Sequence, residues 1–147
     1  MNADYEAVLL RLCLLAGVPA EEQATVAAQQ AMMVNGMAVQ FRLEEWSGFI
    51  RIYVEAGRPA PSRLAALCQS ILEQQLDLPA PFAMLTALDA ASGALILMGC
   101  APMPSSRTED EELLAFLHAC VDGAVLLRRA IEGEEDRVSD LTAFHYF

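Results

Sequence analysis

Lysine is missing altogether: the 9 basic residues are all Arg and oppose 20 acids, for a formal net charge of −11. Nucleic-acid phosphates and anionic membrane surfaces are bound by clustered Lys and Arg, so this balance makes both poor partners. Long hydrophobic runs are lacking too. None approaches the roughly 20 apolar residues that cross a bilayer, and the N-terminal MNADYEAVLLRL has no basic signal-peptide region. The expectation is a soluble, cytoplasmic protein without membrane insertion. Cysteine is sparse, and Cys13, Cys68, Cys100 and Cys120 each lie inside an apolar run with no CxxC pair. They read as buried small hydrophobes of a reducing compartment, not as disulfides or metal ligands.

Candidate chemistry is equally thin. His118 stands two residues from Cys120 on a helix, so the two point to different sides, and His145 lies in the tail with no companion ligand. The acids gather at 44–45, 109–112 and 134–136, as a turn, a helix cap and a solvated tail, without the alternation around a loop that a calcium site requires. No GxGxxG, phosphate-binding loop or GxSxG occurs. No catalytic residue, metal or cofactor is expected, and the residues point to a binding protein.

What the chain has in quantity is apolar side chain, 55% of its 147 residues. That length corresponds to one domain with a real core, assigned to residues 1–133 with an acidic and aromatic tail at 134–147. Acid outside and surplus apolar residues inside suggest a protein that covers hydrophobic surface, its own or another's. The organising stretch is PFAMLTALDAASGALILMGC, residues 81–100, read as strands at 82–88 and 94–98 joined by a turn containing Asp89, Ser92 and Gly93. Ala-Leu-Ile-Leu-Met has no polar residue on either alternate set, so both its faces need cover. The long C-terminal helix can supply one, and a second subunit is expected to supply the other.

Residues 3–16 carry a helical stripe in Tyr5, Val8, Leu9, Leu12 and Leu15, and a second one in Leu10, Cys13 and Leu14. A polar, weakly patterned segment at 21–26 follows. Asn35-Gly36 between apolar runs predicts a type I′ hairpin, and Met37, Val39, Phe41 and Leu43 alternate with Ala38, Gln40 and Arg42 as in a half-buried strand. At 49–55, Ile50, Ile52 and Val54 are core, whereas Phe49, Arg51, Tyr53 and Glu55 form a solvated or contacting face. Ser62 is the expected N-cap of a helix at 63–76, with Leu64, Leu67, Cys68, Ile71, Leu72 and Gln75 as its apolar face. Thr108 to Glu111 reads as a capping box that starts the longest helix, to about 132. The predicted fold class is α+β, in the order α-β-β-β-α-β-β-α, with a twisted antiparallel sheet packed against helices.

This order, with the size and acidity, resembles the class I type III secretion chaperones, the Tir chaperone family. The resemblance spans about residues 7–131: LLRLCLLAGV, VNGMAVQFRL, FIRIYVEAG, PFAMLTALDAASGALILMG and TEDEELLAFLHACVDGAVLLRRAI. It rests on the combination, since no single motif is specific. It implies a cytoplasmic homodimer that holds the N-terminal segment of a secreted effector extended before export, with the secretion ATPase as a further partner. Family dimers meet through the second helix and central strands, which nominates Leu64, Leu67, Cys68, Ile71, Leu85, Leu95 and Leu97. Effector segments lie on the first helix and the meander and can add a strand to a sheet edge, which nominates Leu10, Cys13, Leu14, Met32, Val34, Phe49 and Tyr53. Two other readings stand beside it: a dimeric α+β ligand-sensing domain, disfavoured by the few polar residues within the strands, and an enzyme using Cys100, which would need a lowered thiol pKa.

Overall fold

Two left-handed residues, Asn35 at φ 49° and Gly36 at φ 76°, open the sheet. They join β1 (Ala31–Val34) to β2 (Met37–Glu44) in the register Met32↔Val39 and Val34↔Met37, as the Asn-Gly signal predicts. The computed structural model describes residues 2–75 and 84–133. The expectations for residues 76 to 83, Phe82 included, and for the tail with His145 lie outside the described residues.

Before the hairpin come α1 (Ala3–Leu15) and α2 (Ala20–Gln29). After it come β3 (Phe49–Gly57), α3 (Pro61–Gln75), β4 (Leu85–Asp89), β5 (Ala94–Pro102) and α4 (Arg107–Glu132). The strands form one antiparallel sheet in the order β1-β2-β3-β5-β4. The α+β class is as expected, with one helix more than the sequence predicts. In α2 only Val26 and Ala27 are buried, too narrow an apolar strip to impose a visible period on a polar segment. Glu21 and Glu22 in its first turn suit the positive end of the helix dipole.

One face of the sheet carries the core. Val39 and Phe41 of β2, Ile50, Ile52, Val54 and Ala56 of β3, and Leu95, Leu97 and Ala101 of β5 are buried with Leu113, Phe116, Leu117, Cys120, Val121 and Ala124 of α4. Helix and sheet approach most closely at Gly99. A Cβ there would lie 2.6 Å from Cys120 Sγ and 2.8 and 2.9 Å from the Phe116 ring, inside any real van der Waals contact, so only glycine fits. α1 completes this layer through Tyr5, Val8, Leu9, Leu12 and Cys13. It is tied to α4 by Arg11, whose guanidinium donates twice to the buried Asp110 carboxylate, Nε to Oδ2 at 2.8 Å and Nη2 to Oδ1 at 3.2 Å, the bidentate geometry that Arg provides and Lys cannot.

The helix ends differ from the sequence reading in two places. α3 begins at Pro61, with the Ala60 carbonyl accepting from the N–H groups of Arg63 and Leu64. Proline at the first helical position loses no bond, because that N–H would have no partner within the helix. The cap of α4 is Ser106, not Thr108: Ser106 Oγ accepts from Glu109 N at 3.2 Å, and the Glu109 carboxylate accepts from Ser105 N and Oγ. Glu109 therefore supplies the third-position acid of the motif, two residues before the Glu111 that the sequence suggested.

α3 is held at both ends. Arg63 donates to the carbonyls of Ala130 and Ile131, at 3.0 and 3.1 Å, in the last turn of α4, where Gly133 N also donates to Ala130 O. Gln75 Oε1 accepts from Thr86 N at 2.9 Å on the outer strand β4.

Candidate functional site

The register fixes which side chains lie opposite the helix layer. β3 turns Phe49, Arg51, Tyr53 and Glu55 away from the core, and β5 pairs these with Pro102, Cys100, Met98 and Ile96. β4 adds Leu85 and Ala87 opposite Met98 and Ile96, and β1 and β2 add Met33, Ala38, Gln40 and Arg42. None of these is buried. The face is mixed, with aliphatic and aromatic groups spread around one ion-paired cation. Arg51 pairs with Glu44, and its Nη1 lies 3.9 Å from Met98 Sδ. Its hydrogen bond to Tyr53, and to a smaller extent Glu44, raise the guanidinium pKa, so Arg51 stays charged. Toward β1 the same face holds an open polar hollow of about 580 Å³ lined by Gln29, Gln30, Gln40, Phe41, Arg42 and Tyr53.

Two groups of exposed apolar side chains include residues of the two edge strands, β1 and β4. Leu14 on α1 is 70% exposed and Met33 on β1 is 66% exposed. On the other flank Leu72 of α3 is 64% exposed, and Leu85 and Leu88 of β4 are also exposed. Apolar residues scattered singly over a surface are ordinary, whereas contiguous apolar patches mark docking sites.

The residues singled out from sequence divide between surface and interior. Leu14 and Phe49 are exposed, and Leu10 and Tyr53 are half-buried. Cys13, Met32 and Val34 correct the exposed-face pattern, because all three are buried. Cys13 lies one helical turn from Leu9 and shares its core-facing stripe. Met32 and Val34 stand opposite Val39 and Met37 on the helix side of the sheet, so the outward residue of β1 is Met33. In the second group Leu85 is exposed, and Leu64 and Cys68 are half-buried. Leu67, Ile71, Leu95 and Leu97 are core residues of this chain. Leu97 pairs with Val54 beneath α4, and Ile96 and Met98 take the outer face in its place. The sequence reading did not single out Met33 or Leu88: β1 is apolar on both alternates, and Leu88 pairs with the buried Leu95 on the helix side of the sheet.

Reaction chemistry finds little support in this arrangement. Burial, and then the Glu44 carboxylate, push the Cys100 thiol up, with Arg51 only partly opposing them. An activated cysteine needs the opposite shift. Burial alone pushes Cys120 up to about 12 and raises Cys13 as well. Among the described residues no three His, Cys, Asp or Glu side chains could hold one metal ion, and no helix is long and apolar enough to cross a membrane. The site offers strand edges, apolar side chains and one fixed cation.

No family model and no curated protein matches the chain. Solved structures do. A chain of the HopA1–SchA chaperone–effector complex superposes with a TM-score of 0.60 at 12% identity, over 86% of this chain and 94% of that one. A chain of the ExoT–SpcS complex from Pseudomonas aeruginosa gives 0.55 at 17% identity, over 83% and 97%. A chain of the ExsC–ExsE complex gives 0.56 at 14% identity, over 89% and 97%. The likeness runs through nearly the whole of each matched chain, and what it shows is the fold: four helices with a five-stranded antiparallel sheet, the fold of the class I type III secretion chaperones.

Proposed function

We propose that this protein is a cytoplasmic type III secretion chaperone that works as a homodimer and keeps the N-terminal segment of an effector extended until export. The observation that carries the reading is the fold shared with chains of three complexes, of which one is named a chaperone–effector complex. The exposed apolar residues support it. Leu10, Leu14, Met33, Phe49 and Tyr53 form the client side of the reading, where an extended segment can lay alternate side chains against α1 and the meander and pair its backbone with the β1 edge. Cys68, Leu72, Leu85 and Leu88, with α3 and β4, form the self-association side. Handing the complex to the secretion ATPase is part of the same reading and rests on the resemblance alone. The chain's acidity, −11 overall, keeps such an apolar surface soluble.

Co-expression with a secreted protein encoded beside its gene is the test. The tagged chain is expected to retain the effector's N-terminal fragment and to elute as a dimer by light scattering. Leu14→Asp with Met33→Asp should release the fragment from an intact dimer, and Leu72→Asp with Leu88→Asp should yield monomer. A monomeric wild-type protein that retains no fragment refutes the reading.

A further inference from the structure

Where β5 ends against the start of α4 lies a hollow that no residue of the proposed client or self-association surface lines. Its volume is about 380 Å³, within the range of roughly 300–1,000 Å³ typical of pockets that enclose organic groups. Its walls are Ala101, Pro102, Pro104, Leu113, Ala115 and Phe116, with the carboxylates of Glu109 and Glu112 at the rim. The two alanines leave the room, and Leu113 and Phe116 are buried and supply an apolar floor.

The walls are fixed before anything binds. Met103 N donates to Gly48 O at 3.0 Å, which ties the loop after β5 to the β2–β3 turn. Two residues on, Ser105 N and Oγ donate to Glu109 Oε2 at 2.6 and 2.9 Å, and Glu109 N donates to Ser106 Oγ. A cavity held at both ends of its loop loses little conformational freedom when filled. The turn tied by Gly48 also carries Trp46, 87% exposed.

The charge at the rim is of one sign. Ser105 holds the Glu109 carboxyl below the usual carboxylate range, so it is ionised at neutral pH. Glu112 is exposed, and of the two bases at the start of α4, Arg107 is paired with Glu111 and Arg11 with Asp110. The cation that complements this rim therefore comes from outside a chain that has no Lys and carries −11.

We propose that this hollow is a docking site for a polypeptide segment in which a bulky apolar side chain enters between β5 and α4 while an adjacent Arg or Lys pairs with Glu112. No residue assigned to the client or self-association surface lines the hollow, although Phe49 pairs with Pro102 at its wall, and the proposal does not rest on the chaperone reading.

The test uses the full chain, ¹⁵N-labelled, and fluorescent Gly-Ser peptides with Arg-Phe-Arg, Arg-Ala-Arg or Glu-Phe-Glu at their centres. The Arg-Phe-Arg peptide should bind saturably and shift the amides of residues 112 to 116. The Arg-Ala-Arg peptide should bind about tenfold more weakly or worse, the factor expected for burying a Phe side chain, and the Glu-Phe-Glu peptide should not bind. Glu112→Gln should weaken Arg-Phe-Arg binding about two- to fivefold, as for an exposed ion pair, and flatten its salt dependence. Ala115→Trp, at an exposed position, should fill the hollow and abolish binding. Equal binding of Arg-Ala-Arg, an absence of shifts at 112 to 116, or undiminished binding to a folded Ala115→Trp protein each overturns the proposal. Should that variant fail to fold, the peptide series on the wild-type chain decides alone.

Discussion

Replacing Gly99 with alanine puts a methyl carbon where the structure has no room. The new Cβ would meet Cys120 Sγ at 2.6 Å and two Phe116 ring atoms at 2.8 and 2.9 Å, all from one helix. Phe116 borders the hollow beside β5 and has a direction in which to yield. Cys120 is fully buried and has none, so β5 and α4 must separate by several tenths of an ångström. Overpacking of this kind costs about 1–3 kcal/mol. Against it stands the reduced freedom of the unfolded chain, worth about 0.5–1 kcal/mol for Gly to Ala. The net expectation is a loss of about 1–2 kcal/mol, read as a lower urea midpoint with an unchanged m-value at one fixed protein concentration. The sharper measurement is the double-mutant cycle with Cys120→Ala, which removes the nearest clashing atom. The pair should be less destabilised than the two single variants summed, by about 1 kcal/mol. A Gly99→Ala protein as stable as wild type, or strict additivity with Cys120→Ala, refutes the reasoning.

Two further outcomes follow from the helix ends and the buried titratable groups. Ser106→Ala should cost about 1 kcal/mol in thermal or urea unfolding, and Thr108→Ala should be close to neutral; the reverse order would mean that α4 is capped at Thr108 after all. Stability should also fall on the alkaline side. Cys120 rises from an ordinary 9.0 to about 12 and Tyr5 from 10.0 to about 12, both through burial. Above pH 9 the unfolded chain loses protons that the folded chain keeps, so the stabilisation is complete below about pH 9 and drains as pH rises toward 12. Cys120→Ala with Tyr5→Phe should flatten the slope of urea midpoint against pH between 9 and 11, and an unchanged slope would contradict the assignment.

How far the fold could be read from sequence depended on whether a segment's pattern separated its two sides. β2 alternates apolar and polar, and its inner face, Met37, Val39 and Phe41, is the one expected. Asn35-Gly36 gave the turn because few residue pairs accept two positive φ values. β1 and β5 are apolar on both alternates, so spacing alone left two registers open. The choice of Met32 and Val34 over Met33, and of Leu95 and Leu97 over Ile96 and Met98, was settled by strand pairing, which the sequence does not express. α1 has the same ambiguity, and Cys13 fell on the wrong side of it. α2 was invisible because burying two residues needs no period. In α4 two overlapping cap motifs, Ser106 to Glu109 and Thr108 to Glu111, were both acceptable locally, and the bond from Met103 to Gly48 pins the chain immediately before the earlier one. The hollow between β5 and α4 had no sequence signal beyond small residues at 101 and 115, because an unfilled volume depends on what surrounds it.

The three hydrogen bonds that hold α3 have a consequence for the proposed assembly. Arg63 fastens the start of the helix to the end of α4, and Gln75 fastens its end to β4. A rod pinned at both ends presents its middle in a set orientation. Leu64, Cys68 and Leu72 accordingly form a prepositioned surface, and a second copy meeting it has little backbone left to order. If two copies pair through α3 as proposed, their association is rigid-body docking with a small entropic cost, and cutting either tether is expected to slow and weaken it without touching a single residue of the contact.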